Sequence, residues 1–186
     1  MRILFVAAVD FELEAARAAW DGFPADFLRG GWGADATQHA LEEQFSEGFT
    51  CDLIVDVGIA GARPGGPAIG EVVQVMTERR GEQSGLMLRQ PAPCPALDFL
   101  PVAAGNTVQE LDDRFRQVEY DVETMEGAAF FAFCLQRGCA FAEIRAVSNV
   151  VGERDHARWN IPLALRNLQS ALRTFRNNIY HTPLSF

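Results

Sequence analysis

The sequence predicts a three-layer α/β/α fold built on a central, mostly parallel mixed sheet. Three observations predict it. Short, continuous apolar runs recur at residues 3–8, 53–57 and 143–148, the pattern of strands covered on both faces. These runs alternate with segments of helical period, at 10–20, 35–45, 125–137 and 160–176, and such alternation marks helices packed on the faces of a parallel sheet. The chain has 186 residues, of which 48% are hydrophobic and 22% charged. That size and balance suffice for one domain with a full core and no disulfides.

Taken in order, residues 3–8 form a buried strand, and Asp10 is the expected N-cap of the helix over 10–20. Residues 26–29 read as a second strand, closing at Gly30-Gly31-Trp32-Gly33 before the helix over 35–45. The run 53–57 ends at Gly58-Ile59-Ala60-Gly61, followed by the loop 63–67. A strand is expected over 71–77. Residues 79–101, rich in Gly, Gln and Pro, read as loop, and 102–104 as a short strand. Residues 121–123 lead into the helix 125–137, which Gly138 terminates as a C-cap glycine. After the strand 143–148 comes an amphipathic closing helix over 160–176. The expected organisation is a single domain over 1–176, with a shortened, irregular stretch at 77–120 and a loose tail at 177–186.

Composition narrows the function. The net charge is −9 and all sixteen basic residues are arginine. An acidic chain lacks the basic face of a duplex nucleic-acid binder, and a chain without lysine has no Schiff-base lysine and no P-loop lysine. Cys51, Cys94, Cys134 and Cys139 form no CxxC pair and read as small buried hydrophobes. With His39, His156 and His181 scattered, no metal and no cofactor are expected. No apolar run reaches membrane-spanning length, and the N-terminal run is too short for a signal peptide. A cytoplasmic enzyme with no membrane partner is expected.

In parallel sheets ligands sit beyond the carboxyl ends of the strands, which singles out four segments. Glu12 follows the first strand; alone it reads as a first-turn carboxylate favoured by the helix dipole. In Glu123-Thr124-Met125-Glu126-Gly127-Ala128-Ala129, small residues let a helix start close to the sheet beside Glu126. That carboxylate can serve as a cap or accept from a vicinal diol. Ser148 and Asn149 end a buried strand, and Arg145 inside that strand demands a carboxylate partner. Gly58 and Gly61 permit close backbone approach.

Together these segments resemble the nucleoside phosphorylase and nucleosidase superfamily, in the same order and on the same kinds of element. Ala7 to Glu12 resembles its catalytic N-terminal segment, and Val57 to Gly61 its glycine turn. Thr124 to Ala128 resembles its Met-Glu ribose motif, and Arg145 to Asn149 its base-binding motif. Within the superfamily, Asp121 to Phe131, Phe141 to Asn149 and Trp159 to Leu168 are similar to the futalosine hydrolase family.

The resemblance implies roles. Glu12 activates water, Glu126 holds the ribose hydroxyls and Met125 packs on the sugar. Ser148 and Asn149 surround the purine, Arg145 positions the acidic groups, and Gly58, Ile59, Ala60 and Gly61 approach the ligand. It also implies a purine nucleoside as substrate and a homodimer or higher homo-oligomer. A carboxylate at position 12 repels phosphate and suits a water nucleophile. Asn149 offers a donor and an acceptor together, which suits a 6-oxopurine; aspartate at that place suits adenine. The alternatives are a methylthioadenosine or adenosylhomocysteine nucleosidase, a purine phosphorylase, and an inactive nucleoside-binding relative. Phe99 and Phe115 are the candidates for a base-stacking ring. Arg63, Arg154 and Arg158 could pair with an acid on the 5′ side of the sugar, although each also reads as an ordinary surface charge.

Overall fold

Every residue of β1 (Ile3–Ala7) is buried. Because successive strand side chains point to opposite faces, Ile3, Phe5 and Ala7 enter one apolar layer and Leu4 and Val6 the other. The first layer is closed by α1 (Asp10–Ala19) and α4 (Ile161–His181), the second by α2 (Ala34–Ser46) and α3 (Gly127–Arg137). Trp20 anchors the first layer, edge-on to Phe5 at 4.6 Å and tilted against Phe175 at 5.5 Å. The structure is a computed structural model and describes residues 1–80, 87–109 and 119–181.

Among the described residues the sheet has eight strands. They are β1, β2 (Asp26–Arg29), β3 (Leu53–Ala62), β4 (Val72–Arg80), β5 (Met87–Arg89), β6 (Val102–Thr107), β7 (Val122–Thr124) and β8 (Phe141–Val150). β1 pairs in parallel with β2 and β3, β3 with β8, and β6 with both β4 and β7. Antiparallel pairs join β4 to β8 and to β5, and β3 to β7. The result is the mixed, mostly parallel three-layer fold that the alternation predicts.

Several boundaries differ from the sequence reading. β3 and β8 each run for ten residues, so Gly58 to Gly61 lie inside a strand rather than in a turn, and β8 runs on through Asn149 to Val150. The reason is mutual pairing: the parallel ladder continues from Ile54 with Phe141 to Ala62 with Val150, with a register shift between Ala60 and Gly61. Val9, in extended conformation, is the N-cap of α1, and Asp10 is its first residue. The region expected to be loop contains β5 and a short 3-10 turn at Pro95–Leu97. α4 continues to His181, beyond the expected end at residue 176; residues 182–186 lie outside the described residues. Gly138 ends α3 in the left-handed conformation, φ 65°, as expected.

Candidate active site

Glu12 is fixed from two sides. It stands in the first turn of α1, where one oxygen reaches back to accept from the Val9 amide at 3.3 Å. The other accepts from the Ile59 amide in mid-β3 at 2.8 Å. Its side chain is only 5% exposed. Burial pushes its pKa up to about 7; the Ile59 hydrogen bond and Arg145 oppose this, and the charge of Glu126 adds to it.

Glu126 is the N-cap residue of α3, yet its side chain makes no capping bond. Its carboxylate instead accepts from the Gly33 amide at 2.9 Å. Gly33 has φ 84°, a conformation that glycine adopts without steric cost. Ser148 donates from Oγ to Asn149 Oδ1 at 2.7 Å, and Asn149 Nδ2 donates to the Val150 carbonyl at 3.2 Å. A Cβ at Gly61 would lie 3.2 Å from Asn149 Nδ2, so the glycine leaves room for this amide.

These groups line one cavity of about 260 Å³. Glu12, Glu126, Met125, Ser148, Asn149, Ile59, Ala60 and Gly61 all contribute to its wall. Arg145 and Gly58 lie behind it. Fully buried, Arg145 pairs with Glu143 at 2.7 Å and with Asp56. A Cβ on Gly58 would come within 2.4 Å of Arg145 Nη1 and 2.7 Å of Glu12 Oε1, so the glycine leaves room for both side-chain ends.

Other wall residues were not foreseen. Phe11 and Trp32 stand at the cavity with 44% and 67% exposure. Glu123 and Thr124, from the segment already singled out, and Arg154, one of the three candidate arginines, also line it, as do His156 and Trp159. The Trp159 indole donates to the Glu153 carbonyl at 3.0 Å, and its ring lies 4.3 Å from that of His156. The one local signal for Trp32 was its place between glycines. Phe99 is absent from the wall and exposed, two residues past the 3-10 turn Pro95–Leu97. Phe115 lies outside the described residues. Arg63 pairs with Asp121 at 3.9 Å, and Arg158 with Glu153 at 3.3 Å; of the three arginines, Arg154 is the one in the wall.

Chemically, two buried carboxylates and an amide converge on a largely apolar chamber. The fold is similar to that of solved nucleosidases. The family model described as the phosphorylase superfamily matches residues 102–177. The chain's sequence is similar to the futalosine hydrolase of Thermus thermophilus, 35% identical over 150 residues, covering 62% of this chain and 65% of that one. The chain thus spans just under two thirds of that relative's length. Its fold is similar to a 5′-methylthioadenosine/S-adenosylhomocysteine nucleosidase from Colwellia psychrerythraea in complex with adenine. That match has a TM-score of 0.79 and 17% identity, and covers 95% of both chains. The native futalosine hydrolase of Helicobacter pylori matches with a TM-score of 0.80 and 10% identity, over 96% of this chain and 98% of that one. Among the described residues no helix is long and apolar enough to cross a membrane.

Proposed function

We propose that the chain is a cytoplasmic nucleosidase that hydrolyses the N-glycosidic bond of a 6-oxopurine nucleoside, with futalosine as the substrate and hypoxanthine as the released base. The observation that carries this reading is the convergence of Glu12 and Glu126 on one cavity, close enough for each charge to act on the other. The likeness to the Thermus futalosine hydrolase supports the choice of substrate.

The reaction follows from the charges. As the bond from C1′ to the base nitrogen stretches, the sugar becomes cationic, as in glycoside cleavage. Glu126 holds the ribose hydroxyls and, with Glu12, supplies negative charge around that cation. Glu12 removes a proton from water as its oxygen bonds to C1′. Asn149 hydrogen-bonds the departing base, stabilising charge where it develops, and the base takes its proton from water.

Asn149 favours a 6-oxopurine over the adenine of the methylthioadenosine nucleosidases, since an amino group would face an amide donor. Arg154, at the cavity wall, is placed to pair with an acidic group on the 5′ side. Trp32 and Phe11 leave apolar surface at the cavity, which fits a wall completed by a second copy of the chain in a homodimer.

Product analysis tests the reading. The protein is incubated with futalosine, inosine and methylthioadenosine, with and without phosphate. Phosphate-independent hypoxanthine release, fastest from futalosine, is expected. Adenine release alone, phosphate-dependent cleavage, or binding without base release each overturns it.

A further inference from the structure

Glu78 on β4 is wholly buried and takes no part in the cavity wall. Two threonine hydroxyls donate to it: Thr107 of β6 to Oε2 at 2.8 Å and Thr124 of β7 to Oε1 at 3.0 Å. Thr107 Oγ1 in turn accepts from the Ala128 amide, in the first turn of α3, at 2.7 Å. The amides at a helix start have no partner within the helix, and the N-cap side chain ordinarily supplies one. Here the N-cap is Glu126, whose side chain makes no capping bond and faces the cavity instead. The cap is thus delegated to a threonine on another strand, held in place by a buried carboxyl group. The fit is close: a Cβ on Gly105 or Gly127 would come within 2.0 or 2.4 Å of Glu78 Oε1.

We propose that Glu78 is a positioning residue for Glu126: by fixing Thr107 as the surrogate cap of α3, it releases the Glu126 carboxylate from capping and aims it at the sugar hydroxyls. The inference rests on the nucleosidase reading for its consequence, discrimination between ribo- and 2′-deoxyribonucleosides. Its structural half stands apart from activity, because the Gly33 amide bonded to Glu126 reports where that carboxylate lies. Burial and the neighbouring Glu143 push the Glu78 carboxyl well above the usual carboxylate range. Glutamine, neutral and of the same shape, is therefore the conservative replacement: its carbonyl can accept from Thr107, while its NH2 donates to the Thr124 hydroxyl, which turns to accept.

The test compares wild type with Glu78→Leu, Glu78→Gln and Thr107→Val. Two quantities are measured: amide hydrogen exchange at Ala128 and Gly33, and the ratio of kcat/KM for inosine over 2′-deoxyinosine. Glu78→Leu and Thr107→Val should each speed exchange at both amides, and lower the ratio, by about tenfold, the scale of one lost hydrogen bond. Glu78→Gln should restore both. Thr107→Val, nearly isosteric and leaving Glu78 in place, covers the case in which Glu78→Leu fails to fold. Unchanged Gly33 exchange in the folded variants overturns the proposal whether or not the protein cleaves any nucleoside. So does a glutamine variant that behaves like leucine, which would make the effect one of packing. A wild type that releases no base, with Gly33 exchange responding as expected, overturns the nucleosidase reading and leaves the positioning role supported.

Discussion

In the proposed reaction Glu12 is the base, and the burial that suits it to that role has a cost for the fold. Burial holds its pKa at about 7, near the value at which a general base is both deprotonated and strong enough to take a proton. The acid limb of kcat/KM should therefore rise with pH through about 7, and Glu12→Gln should abolish that limb while lowering kcat by about 10²–10⁴-fold. The same shift acts on stability. A carboxyl whose folded pKa lies above its unfolded value binds its proton more tightly when folded, so its contribution is present below about 4.5 and lost as pH rises through about 7. Glutamine does not titrate. Glu12→Gln should gain stability over wild type as pH climbs across that window, by roughly 2–4 kcal/mol in total. Denaturant melts at pH 4.5 and pH 8 measure it; a gain that does not grow with pH would mean that the carboxylate is relieved by contacts other than those described.

At the scale of elements, the site is built into strands as much as onto their ends. Glu12 and Glu126 were legible in the sequence, because each follows an apolar strand and opens a helix, and local pattern suffices to see that. Gly58 to Gly61 were legible as residues but read as a turn. Only the partner strand, Phe141–Val150, shows that the ladder runs on through them. Partners joined across long sequence separations escaped the reading for the same reason. Gly33 with Glu126 and Glu78 with Thr107 are brought together by topology, which spacing does not encode. Arg145 announced its need for carboxylates without naming Asp56 and Glu143. The strand setting of Gly58 carries a prediction. An added methyl would displace Glu12 Oε1 and Arg145 Nη1, the ends of movable side chains, so Gly58→Ala should fold. Because Glu12 Oε1 is buried and accepts from the Ile59 amide, the damage should fall on activity: at least about tenfold in kcat/KM, since small misplacements of a base are amplified in rate. Circular dichroism with steady-state kinetics decides; normal kinetics in a folded variant would remove Gly58 from the account.

At the scale of the whole molecule, the described residues hold an excess of buried acid around one buried cation, Arg145. Arg145 meets Asp56 and Glu143, and the charges of Glu12 and Glu126 also act on it. Burial raises the pKa of both Asp56 and Glu143, and Arg145 is the main influence opposing that rise. It therefore neutralises the interior where β3 and β8 pair and supports the floor beneath Glu12. Removing one partner of a buried pair leaves the others uncompensated, at a cost of about 3–5 kcal/mol. Arg145→Met, which keeps the bulk and drops the charge, should lower the melting temperature by roughly 10 °C in a chain of this length. The sign of its pH dependence is fixed. Without the guanidinium, Asp56 and Glu143 bind protons still more tightly in the folded state, so the variant loses stability as pH rises. Between pH 5.5 and pH 8 the variant takes up more protons on folding than wild type does, so its deficit should grow with pH, by up to about 3 kcal/mol for each extra proton bound. Denaturant titrations at the two pH values measure both deficits. Equal deficits would show that Arg145 serves as packing alone; the larger deficit at pH 8 would mark it as the countercharge that lets an acidic interior hold two glutamates at one cavity.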